Sequence, residues 1–157
     1  MGVTISNHKK SIDLGMGGYH NLCNTIAKCL DKEFYERYAD LMNYYKYRER
    51  GFETQKEFFD DHDEKILEIC NRKKLDEDVV NFLYRGDCSY ESASVKTCRH
   101  IWKIIKDYDD NVIYGYAGRP DRAMFKDFKE IVEGCAKDRR VMRFSWWRTE
   151  YENWMGK

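Results

Sequence analysis

At 157 residues the chain suits one domain with a single core, residues 1–157, and is short for two. Charged residues make up 36% and hydrophobic ones 42%, with one proline, which excludes a disordered or fibrous chain and points to a helical globular one. The formal net charge is zero, so neither the basic excess of a general nucleic-acid binder nor the acidic excess of a DNA mimic is present, and partners must be read by local patches.

Val3 and Ile5 alternate with Thr4 and Ser6, the period of a half-buried strand. Asn7-His8-Lys9-Lys10 reads as a polar turn, followed by a glycine loop, Ser11 to Gly18. Leu22, Cys23, Ile26, Ala27 and Leu30 then mark a first helix over roughly 19–30. Asp31 caps a second helix whose apolar face is Phe34, Tyr35, Tyr38, Leu41, Met42 and Tyr45, and Gly51 ends that region. Thr54 and Glu57 form a capping box before Phe58, Phe59, His62, Ile66, Ile69 and Cys70, a third helix with cations Arg72, Lys73 and Lys74 at its end.

Asp76, Glu77 and Asp78 open a short helix carrying Val79, Val80 and Leu83, and Gly86 to Ser89 is a loop. Ser92 or Ser94 starts a fifth helix with Val95, Cys98, Trp102 and Ile105 inward, before an acidic turn at 107–111. Val112 to Tyr116 is a short strand or extended run, and 117–121 is the next turn. Asp121 caps a sixth helix with Met124, Phe125, Phe128, Ile131, Val132 and Cys135 on one side, and Met142, Phe144 and Trp146 alternate as a strand. The expected fold is therefore α+β and helix-dominant, about six helices packed on a small sheet formed partly by the N- and C-terminal strands.

Two segments carry the candidate ligand chemistry. Gly15, Gly17 and Gly18 precede a helix start, where backbone N–H groups and the helix dipole suit a phosphate. The segment lacks the Gly-Lys-Ser/Thr ending of a P-loop, and the third glycine of the dinucleotide fingerprint falls on His20. The second segment, Tyr114 to Asp121, offers two tyrosines, two glycines and Arg119, whose planar fork suits phosphate or carboxylate. If the two segments face each other, phosphate meets the glycine backbone and Arg119, and a base stacks on Tyr19, Tyr114 or Tyr116. Asn21 and Asp121, beside the two helix starts, complete that set. The competing reading is structural: tight turns, core tyrosines, and an Arg119 paired with a neighbouring carboxylate. In the aromatic tail, Trp147, Tyr151 and Trp154 are candidate contacts to a partner protein or a second copy, or else they close the core.

Metal and catalytic signatures are weaker. There is no Cys-x-x-Cys and no His-Glu-x-x-His. Asp107, Asp109 and Asn111 open like a calcium loop, but Val112 and Gly118 occupy the positions that need Gly and Glu. His62-Asp63, with His20 and Asp107, invites comparison with helical metal-dependent phosphohydrolases, against the default of a solvated acidic helix face. No local signature selects a nucleophile–base pair, so catalysis is disfavoured and neither cofactor nor metal is expected. The N-terminal residues carry no secretory apolar region and no run suits a membrane span, so the six cysteines are expected as thiols in a cytoplasmic protein.

The segments Ser-Ile-Asp-Leu-Gly-Met-Gly-Gly-Tyr (11–19) and Tyr-Gly-Tyr-Ala-Gly-Arg-Pro-Asp (114–121) resemble small accessory proteins of bacteriophages and mobile elements of Firmicutes. Those motifs have no assigned chemistry. The resemblance implies a host-cell cytoplasmic setting and action against host defence, either by sequestering a nucleotide-derived ligand without catalysis or, like an anti-CRISPR, by binding a defence nuclease.

Overall fold

The computed structural model of the protein describes residues 1–85, 90–115, 119 and 122–147. It opens with a hairpin of β1 (Gly2–Ser6) and β2 (Ser11–Gly15), closed at Asn7. The Asn7 side-chain oxygen accepts from the N–H groups of Lys9 and Lys10 at 2.7 and 2.8 Å, which bends the chain back on itself. Ser11 to Gly15, expected as loop, is thus a strand with Ile12 and Leu14 buried and Ser11 and Asp13 exposed. It pairs along β1, with Val3 opposite Leu14 and Ile5 opposite Ile12.

Helix α1 (Met16–Leu30) follows directly, three residues earlier than the apolar pattern suggests. Asp31 ends it and caps α2 (Lys32–Asp40), its carboxylate accepting from the Phe34 N–H at 3.0 Å. The second helix is shorter than its apolar pattern. It gives way to a 3-10 helix over Leu41–Lys46, on which no residue is buried and Tyr45 is 62% exposed. Thr54 caps α3 (Gln55–Lys73) by accepting from the Glu57 N–H, and Lys74 ends it in a left-handed conformation, φ 52°. Asp76 caps α4 (Glu77–Leu83) by accepting from two backbone N–H groups.

Of the two serines that could start the fifth helix, Ser94 caps α5 (Val95–Ile105), and Ser92 belongs to β3 (Ser92–Ala93). A two-stranded ribbon, β4 (Ile113–Tyr114) with β5 (Ala123–Met124), precedes α6 (Phe125–Asp138). Met124, expected inside the sixth helix, lies in that ribbon, and its N–H donates to Asp127 at 3.0 Å. The described chain closes with β6 (Met142–Trp147). The main sheet has the order β2-β1-β6-β3, all antiparallel, so the two terminal strands lie side by side at its centre. The protein is α+β and helix-dominant.

One apolar cluster unites the sheet with the helices. Val3, Ile5, Leu14, Met142 and Phe144 project from the sheet onto Leu22 and Ile26 of α1, Ile101 and Ile105 of α5, and Phe128, Ile131 and Val132 of α6. Cys98 and Cys135 are buried thiols, and the Cys98 thiol donates to the Ala93 carbonyl at 3.9 Å. No two of the described cysteines are joined in a disulfide, and Cys88 lies outside the described residues. No helix among the described residues is long and apolar enough to cross a membrane.

Candidate functional site

Gly18 and Tyr114, one residue from each glycine segment, approach each other through packed atoms. Gly18 lies in the first turn of α1, where a Cβ would sit 3.4 Å from a Leu14 methyl and 3.7 Å from the Tyr114 Cβ. Tyr114 is 2% exposed, and its hydroxyl donates to Thr25 at 2.7 Å, so it faces the core. Gly15 is the N-cap of α1 in ordinary extended conformation, and the Met16 N–H is taken by the Met1 carbonyl. Gly17 and Asn21 are exposed, with open space around Gly17. Arg119 is exposed, its carbonyl accepting from the Arg122 N–H. Tyr116 and Asp121 lie outside the described residues, as do Tyr151 and Trp154. Trp147, at the end of β6, is half-buried and lies over Gly2, where a Cβ would meet its ring at 2.5 Å.

Tyr19 leads elsewhere. It lines a cleft of ≈ 300 Å³ bounded by α1, the end of α2, the 3-10 helix, α3, and the end of α4 with the segment that follows. Helical spacing explains its share from α1: Tyr19 and Cys23 sit one turn apart, and His20 and Asn24 one step round. Tyr38 enters from α2, Met42 and Tyr44 from the 3-10 helix, and Phe59 from α3. Phe82, Tyr84 and Tyr90 close the far side. Apart from Tyr19, these aromatics were not legible as a site, because Tyr38 and Phe59 sit on stripes that read equally well as core.

The rings hold one another in place. Tyr19 and Tyr90 both stand edge-on to Trp146, at 5.3 and 5.7 Å between centroids, and their hydroxyls hydrogen-bond each other. The Trp146 indole N–H donates to the Tyr90 carbonyl at 2.8 Å. Tyr38 meets Tyr84 edge-on at 5.5 Å, and Tyr44 stacks on Phe59 at 5.6 Å. Behind Tyr84, its hydroxyl pairs with His62 Nε2 at 3.0 Å. Burial raises the phenol pKa of Tyr19, Tyr38 and Tyr84 alike, so each stays neutral across the physiological range. Neither Lys, Arg, Asp nor Glu is among the described residues lining the cleft. Its described walls are mostly flat and apolar, with hydroxyl, imidazole and amide groups at their edges, which suits a planar aromatic group.

For a divalent cation, the described residues bring together one donor set, Asp76, Asp78 and His100. His100 Nδ1 lies 2.7 Å from Asp76 and 3.3 Å from Asp78, and the Lys96 ammonium stands 3.5 Å from Asp78 and competes with any metal. His20, His62, Asp63 and Asp107 are not part of it. His62 is buried against Tyr84, and Asp109 accepts from the Asn111 N–H in a local turn. Comparison with family models, with curated proteins and with solved structures returned no match to the chain.

Proposed function

We propose that the protein is a non-catalytic receptor that takes a flat aromatic group, such as the base of a nucleotide-derived ligand, between the rings of the tyrosine-lined cleft. The observation that carries this reading is the aromatic cleft itself, whose described lining holds no Lys, Arg, Asp or Glu and whose volume falls at the lower end of the usual range for ligand pockets. Sequestration, the activity the phage resemblance implies, needs tight binding and an unchanged ligand. Stacking against a ring is worth about 1–3 kcal/mol per base. The test is thermal shift with adenosine, guanosine, cyclic dinucleotides and ADP-ribose. A ligand that binds should raise the melting temperature of the wild type and lose most of that effect with Tyr44→Ala, a rim residue 41% exposed. No shift with any of them ends this reading.

A second reading has its own support. Met42, Tyr44 and Tyr45 expose apolar surface beside the cleft, the kind of rim that receives an aromatic anchor from a partner protein such as a defence nuclease. Tyr45 is not among the cleft's lining residues. Tyr45→Ala therefore separates the two readings: it should leave small-ligand binding intact and weaken a protein complex.

A further inference from the structure

On the other side of the His62–Tyr84 pair lies a second cavity of ≈ 140 Å³, between α2, the chain after the 3-10 helix and α3. It shares none of its lining residues with the aromatic cleft. Its polar lining comes from Arg37 and Asp40 of α2, Arg50, and Asp61, His62 and Lys65 of α3. Three cations thus face two carboxylates.

The pairing inside the cavity leaves one cation over. Asp40 accepts from both terminal nitrogens of Arg50, one at 2.9 Å, and Asp61 pairs with Lys65 at 2.7 Å. Arg37 makes neither a hydrogen bond nor an ion pair with the described residues, although its charge helps to lower the Asp40 pKa. At the wall stands His62, 4% exposed, with Nε2 on the Tyr84 hydroxyl and no partner for Nδ1 among the described residues. In the tautomer where Tyr84 donates to Nε2, the ring proton sits on Nδ1 as a buried donor.

We propose that this cavity binds a tetrahedral oxyanion, free phosphate or the phosphate end of a larger ligand. The Arg37 guanidinium is the charge partner, and Arg50, Lys65 and His62 Nδ1 are the remaining donors. A guanidinium fork matches two oxygens of such an anion, and the two carboxylates are already neutralised by Arg50 and Lys65.

The experiment is a titration of inorganic phosphate, and separately of AMP and adenosine, at constant ionic strength, followed by calorimetry and by the imidazole ¹⁵N resonances of His62. Phosphate should bind and move the His62 signals. Arg37→Gln, which removes no hydrogen bond or ion pair among the described residues, should weaken binding at least tenfold, and Tyr44→Ala should leave it unchanged. AMP binding tighter than phosphate and sensitive to Arg37→Gln would identify a ligand-borne phosphate, whereas phosphate alone meeting that test would identify the free anion. Unmoved His62 signals on adding phosphate, or phosphate binding indifferent to Arg37→Gln, would overturn the proposal. Either result would leave the aromatic cleft, read by adenosine and Tyr44→Ala, still open to its own test.

Discussion

Lys129 is a charged residue held almost wholly inside the protein, 6% exposed, and the structure shows what holds it there. Its ammonium donates to the carbonyls of Lys106 and Tyr108 just past α5 and pairs with Asp110 at 2.9 Å, so it satisfies the end of one helix from the flank of another. Lys129→Met keeps the apolar stem but leaves those carbonyls without their donor. It should lower stability by about 1–3 kcal/mol in urea unfolding, and an unchanged midpoint would show that water replaces the ammonium freely. His62 carries a pH signature. Burial, helped by the nearby Arg37 charge, lowers its pKa against the pull of Asp63, Asp40 and Asp61 in the other direction. The folded value therefore lies below the unfolded one of about 6.5, and the unfolded chain takes up the proton first as pH falls. The stability His62 contributes is full above about pH 6.5 and is lost as pH drops toward its folded value, at no more than about 1.4 kcal/mol per pH unit. Subtracting the stability of His62→Gln from that of the wild type between pH 7 and 5 isolates this slope, and parallel curves would refute it. The lowered carboxylates of Asp31, Asp40 and Asp127 act in a separate window, at and below about pH 4.

Among the elements, the β1–β2 hairpin depends on α6 more than on its own length. The Asn7 amide donates to the Ile131 carbonyl at 3.0 Å, Lys10 pairs with Asp127 and Glu130, and His8 with Asp138. This close seating requires Gly134, where a Cβ would stand 2.6 Å from the Asn7 amide nitrogen. Gly134→Ala gains helix propensity of about 1 kcal/mol but forces Asn7 off the helix, so a net loss of stability is expected. Faster amide exchange at Lys9 and Lys10 should accompany it, and protected amides with raised stability would contradict the account. Elements of this kind were partly legible in the residues. Asp31 and Thr54 mark helix starts because their oxygens have a backbone donor to find, and each caps its helix as expected, although the Glu57 carboxylate of the expected capping box accepts from the Glu53 N–H instead of the Thr54 N–H. Ser11–Gly15 was harder, because its glycine draws attention from the alternation of Ile12 and Leu14 against Ser11 and Asp13. The second helix stops at Asp40, yet Leu41, Met42 and Tyr45 continue its apolar stripe. A periodic stripe says that residues share a face, and gives no sign of whether anything packs against it.

At the scale of the molecule, the aromatic cleft is assembled from five stretches between Tyr19 and Tyr90 that no local pattern joins. Tyr19 was accessible from its place at a helix start. Trp146, from the opposite end of the chain, stands edge-on to Tyr90 and Tyr19, while Tyr84 leans on His62 and meets Tyr38 edge-on. The side-by-side pairing of β1 with β6 brings that tryptophan into position, so the site depends on that pairing. The most direct test is methyl NMR of the methionines during titration with adenosine, guanosine and cyclic dinucleotides. Met42 lies at the cleft, and Met124 and Met142 lie in the ribbon and the sheet. A stacked base should shift the Met42 methyl by its ring current and leave Met124 and Met142 in place. A Met42 methyl that stays put while a ligand binds would contradict the assignment of the cleft as the receptor site.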